Sequence, residues 1–141
     1  MKKLLDRRYR VLRVRHVQHA LAVAETVRAQ DEAKAIAHNA ARLTRVREDL
    51  YRSENLASGA SLGAYRELAS RLEQAGRQLD GALYDAHRKV DEKQDRTVEA
   101  SREREIAERL KDRARAALDE HIEARVAALP RYRRIQRDDR Q

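Results

Sequence analysis

Asn55–Gly63 reads NLASGASLG, and its interpretation decides the fold. Ser58, Gly59, Ser61 and Gly63 fall close together between two long stretches that contain no proline. Glycine reaches the φ > 0 conformations a reversal needs, and serine can bond its own backbone. The flanking stretches are rich in Ala, Arg, Leu and Glu, which are good helix formers. The expectation is an all-α fold: a long antiparallel two-helix coiled-coil hairpin. Helix 1 is expected over about 3–56, a turn over about 57–61, helix 2 over about 62–129, and a basic tail over 130–141.

Upstream of the bend, Ala22, Ala29, Ile36, Leu43 and Leu50 recur every seven residues, with Ala33, Ala40 and Val46 on or near the same face. This is a narrow apolar seam suited to a partner helix. Before Ala20 the seam weakens, where Leu5, Tyr9, Leu12 and Val17 are interleaved with Arg. Downstream, one heptad series runs Tyr65, Leu72, Leu79, Ala86, Lys93, Ala100, Ala107, Ala114. Its expected companion is Leu68, Ala75, Ala82, Lys89, Arg96, Glu103, Leu110, Ala117. Residues 87–105 are almost wholly polar, so either the phase drifts there or polar side chains enter the interface. Pro130 is expected to stop helix 2, since it lacks an N–H and clashes with the preceding turn. At about 1.5 Å per residue the helices reach roughly 80 and 100 Å. Pairing across the bend sets Leu43 near Ala75, Ile36 near Ala82 and Tyr9 near Arg109, with helix 2 projecting past the start of helix 1. Gly76 and Gly81 inside helix 2 each cost up to about 1 kcal/mol relative to Ala. They either weaken the helix near the bend or admit another protein's backbone.

The 141 residues allow one domain, 40% of them charged and 4% aromatic, with neither Phe nor Trp. A thick globular core is therefore not expected. Residues 1–16 carry seven Lys or Arg against Asp6, a charge of +6. Residues 130–141 carry five Arg against Asp138 and Asp139, a charge of +3, which leaves −1 for the rest of the net +8. A hairpin brings these basic ends towards one pole, where they attract acidic surfaces.

There is no Cys, hence no disulfide. No stretch approaches the roughly 20 apolar residues of a transmembrane segment, and no signal-peptide pattern opens the chain. A soluble intracellular protein is expected. No catalytic constellation emerges: no carboxylate lies three residues before any of the five His, and HExxH and a phosphate-binding loop are absent. No enzyme activity, metal or cofactor is expected. The basic ends suit nucleic acid, but the seam after them is Ala-rich and no aromatic platform for bases is evident, so no specific nucleic acid is expected. Residues 2–15 have the charge to touch an anionic membrane but mix Arg into their apolar side. Tyr51 and Tyr65 flank the bend with Leu68 and Leu72 following. They either close the seam or present an interface.

These residues bring out a likeness. Tyr51-Arg52, the SGASLG turn and Tyr65-x-x-Leu68-x-x-x-Leu72-x-x-Ala75, followed by Glu108-Arg109-Leu110-Lys111 and Leu118-Asp119-Glu120, resemble the flagellar FliJ family of type III protein export. The family often has Phe where Leu68 stands. The resemblance implies a non-enzymatic, stalk-like coiled coil for motility. It would be cytoplasmic and peripheral at the inner face of the cell membrane, coupling the flagellar export ATPase hexamer to the membrane export gate and export chaperones. It also implies Tyr51, Leu68, Leu72 and Ala75 as candidates for gate contact. Charge and position suggest Arg7, Arg8, Arg10, Arg131, Arg133 and Arg134 for the ATPase. The alternatives are the stalk of a virulence type III secretion system and a basic coiled coil that binds nucleic acid.

Overall fold

The computed structural model describes residues 1–52 and 59–130. Two helices account for almost all of them, α1 over Lys2–Arg52 and α2 over Gly59–Ala127, packed against each other as a hairpin. The long proline-free runs of Ala, Leu, Arg and Glu explain their length.

Expected turn residues Ala57 and Ser58 lie outside the described residues. Gly59, Ala60 and Ser61, expected in the turn, are instead in α2. No described glycine has a positive φ. Ala60, Leu62 and Ala64 are helix formers interleaved with Gly59 and Gly63, and helical φ is as open to glycine as any other. At the far end α2 stops at Ala127, before Pro130. The Ala128 N–H still donates to Ala124 O at 3.0 Å, but that of Leu129 reaches only back to Val126 O at 3.2 Å, a tightened final turn.

The chain divides into two compact units, Met1–Arg15 with Glu103–Gln141, and His16–Arg102. In the first, Leu5, Arg8, Leu12 and Arg15 face inward from α1, and Arg104, Ala107, Lys111, Ala114 and Leu118 from α2; among its described residues Leu12 and Ala107 are buried. Contacts of Arg15 with Glu103 and of Tyr9 with Lys111 show the two segments running antiparallel. Tyr9 thus meets Lys111, two residues beyond the expected Arg109. The last described residues, 121–130, are all exposed.

In the second unit Thr26, Ala29, Ala33 and Ala86 are buried. Its α1 seam steps by three and four through His19, Ala22, Thr26, Ala29, Ala33, Ile36, Ala40, Leu43, Arg47 and Leu50. Ala22, Ala29, Ile36, Leu43 and Leu50 therefore stand where the heptad reading put them. Val46 does not: it is 52% exposed, and Arg47 takes the inward position.

On α2 the first expected series is the inward one from Tyr65 through Ala114. The companion series is displaced by one residue. The inward positions are Ala69, Gly76, Leu83, Val90 and Thr97, continued in the first unit by Arg104, Lys111 and Leu118. Leu68, Ala82, Lys89, Arg96 and Ala117 are exposed, while Ala75, Glu103 and Leu110 are half-buried at the edge. A heptad accepts a three- or a four-residue step after Tyr65. The four-residue step turns Leu83, Val90 and Leu118 inward, whereas the three-residue step would put Lys89 and Arg96 there.

Of the two readings of the polar stretch 87–105, the phase holds and polar side chains enter the seam. Lys93 and Thr97 are half-buried within the second unit. Gly76 lies opposite Leu43 and Arg47 of α1. A Cβ at this position would meet Leu43 Cδ2 and Arg47 Nη1, each at 3.6 Å, which is ordinary van der Waals contact, so an alanine would fit beside the seam arginine.

Candidate partner-binding surfaces

The second unit carries a polar layer at Thr26 and Thr97, flanked by Ala22 and Ala29 on α1 and by Lys93 and Ala100 on α2. Thr26 Oγ1 and Thr97 Oγ1 lie 2.9 Å apart, and each also reaches a carbonyl of its own helix, Ala22 O at 3.0 Å and Lys93 O at 3.1 Å. A hydroxyl has one proton. One threonine therefore donates across the pair while the other donates to its own helix. Beside this layer Lys93 Nζ donates to Glu25 Oε2 at 2.9 Å, and Lys89 Nζ donates to Glu32 Oε2 at 3.0 Å. Hydrogen bonding from Lys93, reinforced by its charge, holds the Glu25 carboxyl below the ordinary value of 4.5. Intrahelical pairs occupy the outer face: Glu67 with Arg71 at 2.6 Å and Glu73 with Arg77 at 2.8 Å.

Four gate-contact candidates also lie in this unit, and their exposures divide them. Tyr51 and Leu68 are about half exposed, at 51% and 46%. Leu72 and Ala75 are half-buried against the helix pair. An outward pair thus flanks an inward pair, so a partner can touch Tyr51 and Leu68 directly. Leu72 sits in the seam itself and Ala75 at its edge.

The first unit holds the charge. Residues 1–15 carry +6, and residues 103–141 carry eleven Lys or Arg against nine Asp or Glu, so this unit accounts for the whole net +8 and the second is neutral. Arg7 and Arg10 are exposed, and Arg8 is half-buried. None of the three forms an ion pair with a described carboxylate, whereas Arg15 Nη1 meets Glu103 Oε2 at 2.5 Å. Arg131, Arg133 and Arg134 lie outside the described residues. Lys111 is held by Asp112 Oδ1 at 2.8 Å and lies 5.9 Å above the centre of the Tyr9 ring. Its hydrogen bond to Asp112 raises its pKa above the ordinary 10.5 against a smaller opposing effect of burial. Glu105 and Arg109 form the expected i, i+4 pair at 2.5 Å.

Heptad counting alone did not find the polar layer, because a single threonine in a seam is common and the one-residue error on α2 hid Thr97. The groove between Val11 and Ile106 in the first unit was missed because its two walls lie far apart in the chain. Among the described residues no group of His, Asp or Glu is placed to hold a metal, and no helix is long and apolar enough to cross a membrane. Neither protein-family models, nor curated proteins, nor solved structures contain a match to this chain.

Proposed function

We propose that this chain is a non-enzymatic coiled-coil component of a flagellar type III protein export apparatus, coupling the export ATPase hexamer to the membrane export gate and to export chaperones. The observation that carries the reading is the pairing of a two-helix hairpin with the sequence motif around its bend, Tyr51-Arg52 and Tyr65-x-x-Leu68-x-x-x-Leu72-x-x-Ala75. The half-exposed Tyr51 and Leu68 suit direct contact with the gate, and the half-buried Leu72 and Ala75 lie in the seam and at its edge. Arg7, Arg8 and Arg10, with Arg131, Arg133 and Arg134 of the basic tail, face the ATPase in this reading. Their positive charge speeds encounter with an acidic partner. The protein then works in the cytoplasm, peripheral at the inner face of the membrane.

Affinity capture of the full chain from its own cells tests the reading. Recovery of the export ATPase and the gate protein is the expected result, and Tyr51→Ala should reduce gate recovery without loss of helicity. Capture of secretion-needle components in place of flagellar ones would move the protein to a virulence system. Capture of neither ATPase nor gate, together with steeply salt-dependent binding to duplex DNA, would replace the proposal with nucleic-acid binding.

A further inference from the structure

In the first unit, α1 and α2 leave a groove of about 210 Å3 between them. Val11, Ile106, Ala107 and Leu110 supply its apolar lining, with Arg8 and Arg15 among its charged edges. Val11 is 39% and Ile106 57% exposed, so both offer apolar surface to an occupant. The one carboxylate in the lining, Glu103, is already neutralised by Arg15. Next to Val11 on the same helix, Leu4 and Val14 are also about half exposed and alternate with Arg7 and Arg10.

We propose that this groove receives an acidic amphipathic helix of a partner protein, its apolar stripe on Val11, Ile106 and Leu110 and its carboxylates on Arg7, Arg8 and Arg10. The proposal rests on the assignment of these arginines to a partner and goes further by naming what docks.

Three observations select this occupant. First, the charge is uncompensated: of the seven Lys and Arg in residues 2–15, only Arg15 forms an ion pair with a described carboxylate. Second, those cations are concentrated: residues 7–15 carry five Arg and no acidic residue. Carboxylates brought there meet several guanidinium groups at once, and charge-assisted hydrogen bonds to Arg are the stronger kind. Third, the shape favours a helix. A furrow between two antiparallel helices accepts the ridge of a third, with anchors spaced i, i+3, i+4 and i+7. Phosphates of a nucleic acid would satisfy the arginines but leave Val11 and Ile106 in water. A flat bilayer does not reach into a groove between two helices.

The test is fluorescence anisotropy on the full chain. The probe is a labelled synthetic peptide of about five helical turns, with Leu at i, i+3, i+4 and i+7 and Glu on its remaining face. A scrambled peptide of identical composition, vesicles of phosphatidylcholine with phosphatidylserine, and a short DNA duplex are run alongside. The amphipathic peptide should bind at least about tenfold more tightly than its scramble, a difference of about 1.4 kcal/mol. Ile106→Asp should abolish that preference. Arg7→Glu should weaken binding of both peptides and flatten the salt dependence. Ile106 and Arg7 are both exposed, so circular dichroism should show unchanged helicity; should Ile106→Asp nevertheless unfold the chain, Val11→Ser serves in its place. Equal binding of the two peptides, or tighter binding to vesicles or DNA, would overturn the proposal. Capture of the export ATPase by Ile106→Asp at the wild-type level would remove the groove while leaving the proposed function standing. Peptide binding without any ATPase capture would do the reverse.

Discussion

Thr26 and Thr97 face each other across the helix pair with their hydroxyl oxygens 2.9 Å apart, in a seam otherwise built largely from Ala and Leu. This contact ties the heptad phase of α1 to that of α2. A one-residue slip of either helix would separate the hydroxyls and bring Val27 or Val98 towards the position, both now about half exposed at 48% and 50%.

Replacing both threonines by valine removes the polar pair together with its desolvation. When both partners of a buried hydrogen bond become apolar groups of the same shape, stability is kept or gained. The double variant Thr26→Val with Thr97→Val should unfold in urea at the wild-type midpoint or above. The two single variants should each fall below it. A double-mutant cycle followed by helicity should return a coupling of about 1 kcal/mol.

Acidification should weaken the second unit through Glu25. Its pKa is depressed in the folded chain by the Lys93 hydrogen bond. The contribution is therefore present above the ordinary 4.5 and is lost as pH falls through the lower folded value. Lys93→Met keeps an unbranched side chain at the half-buried position without the charge. Melting curves across the acid range should show a shallower fall in Tm for Lys93→Met than for wild type.

Gly76 and Gly81 both sit in α2 with helical φ. A Cβ on Gly76 would make ordinary contacts at 3.6 Å, and one on Gly81 would meet nothing within 4 Å. Gly81→Ala should therefore raise stability by about 0.5–1 kcal/mol, the helix-propensity difference, read from urea denaturation. Gly76→Ala should gain at least as much, since the new methyl packs in ordinary contact with Leu43 and Arg47. Full stabilisation of either variant with loss of partner capture would assign that glycine to a close approach by another backbone.

Leu68 and Leu72 are one helical turn apart but differ in what they touch. Leu72→Ala should cost about 1–2 kcal/mol, less than the 2–5 typical of a fully buried leucine because it is half-buried here. Leu68→Ala, at a position 46% exposed, should cost a few tenths of a kcal/mol and act on binding instead. Urea denaturation set beside capture of the gate protein separates the two effects.

Much of the fold was open to inspection in the chain itself. Repeats such as Ala22, Ala29, Ile36, Leu43, Leu50 report a helix face directly, because side chains seven residues apart project in nearly the same direction. The i, i+4 pairs Glu67 with Arg71 and Glu105 with Arg109 are equally local, and so is the charge of residues 1–15. Candidate surfaces were less legible. Tyr51 and Leu68 could be named from sequence, but their outward placement beside the inward Leu72 could not. The groove at Val11 needs Ile106, some ninety positions away in the chain, to give it a second wall.

The amino-acid order by itself determined that there are two long helices, that Ala22, Ala29, Ile36, Leu43 and Leu50 of α1 face the seam, and where the charge is concentrated. All three follow from spacings shorter than two helical turns. Only the tertiary structure decided the phase of α2. Steps of three and four residues after Tyr65 are equally helical, and what separates them is whether Leu68 or Ala69, and in turn Lys89 or Val90, lies against α1. That choice is one of burial: the four-residue step shelters Leu83, Val90 and Leu118 and leaves Lys89 and Arg96 in water.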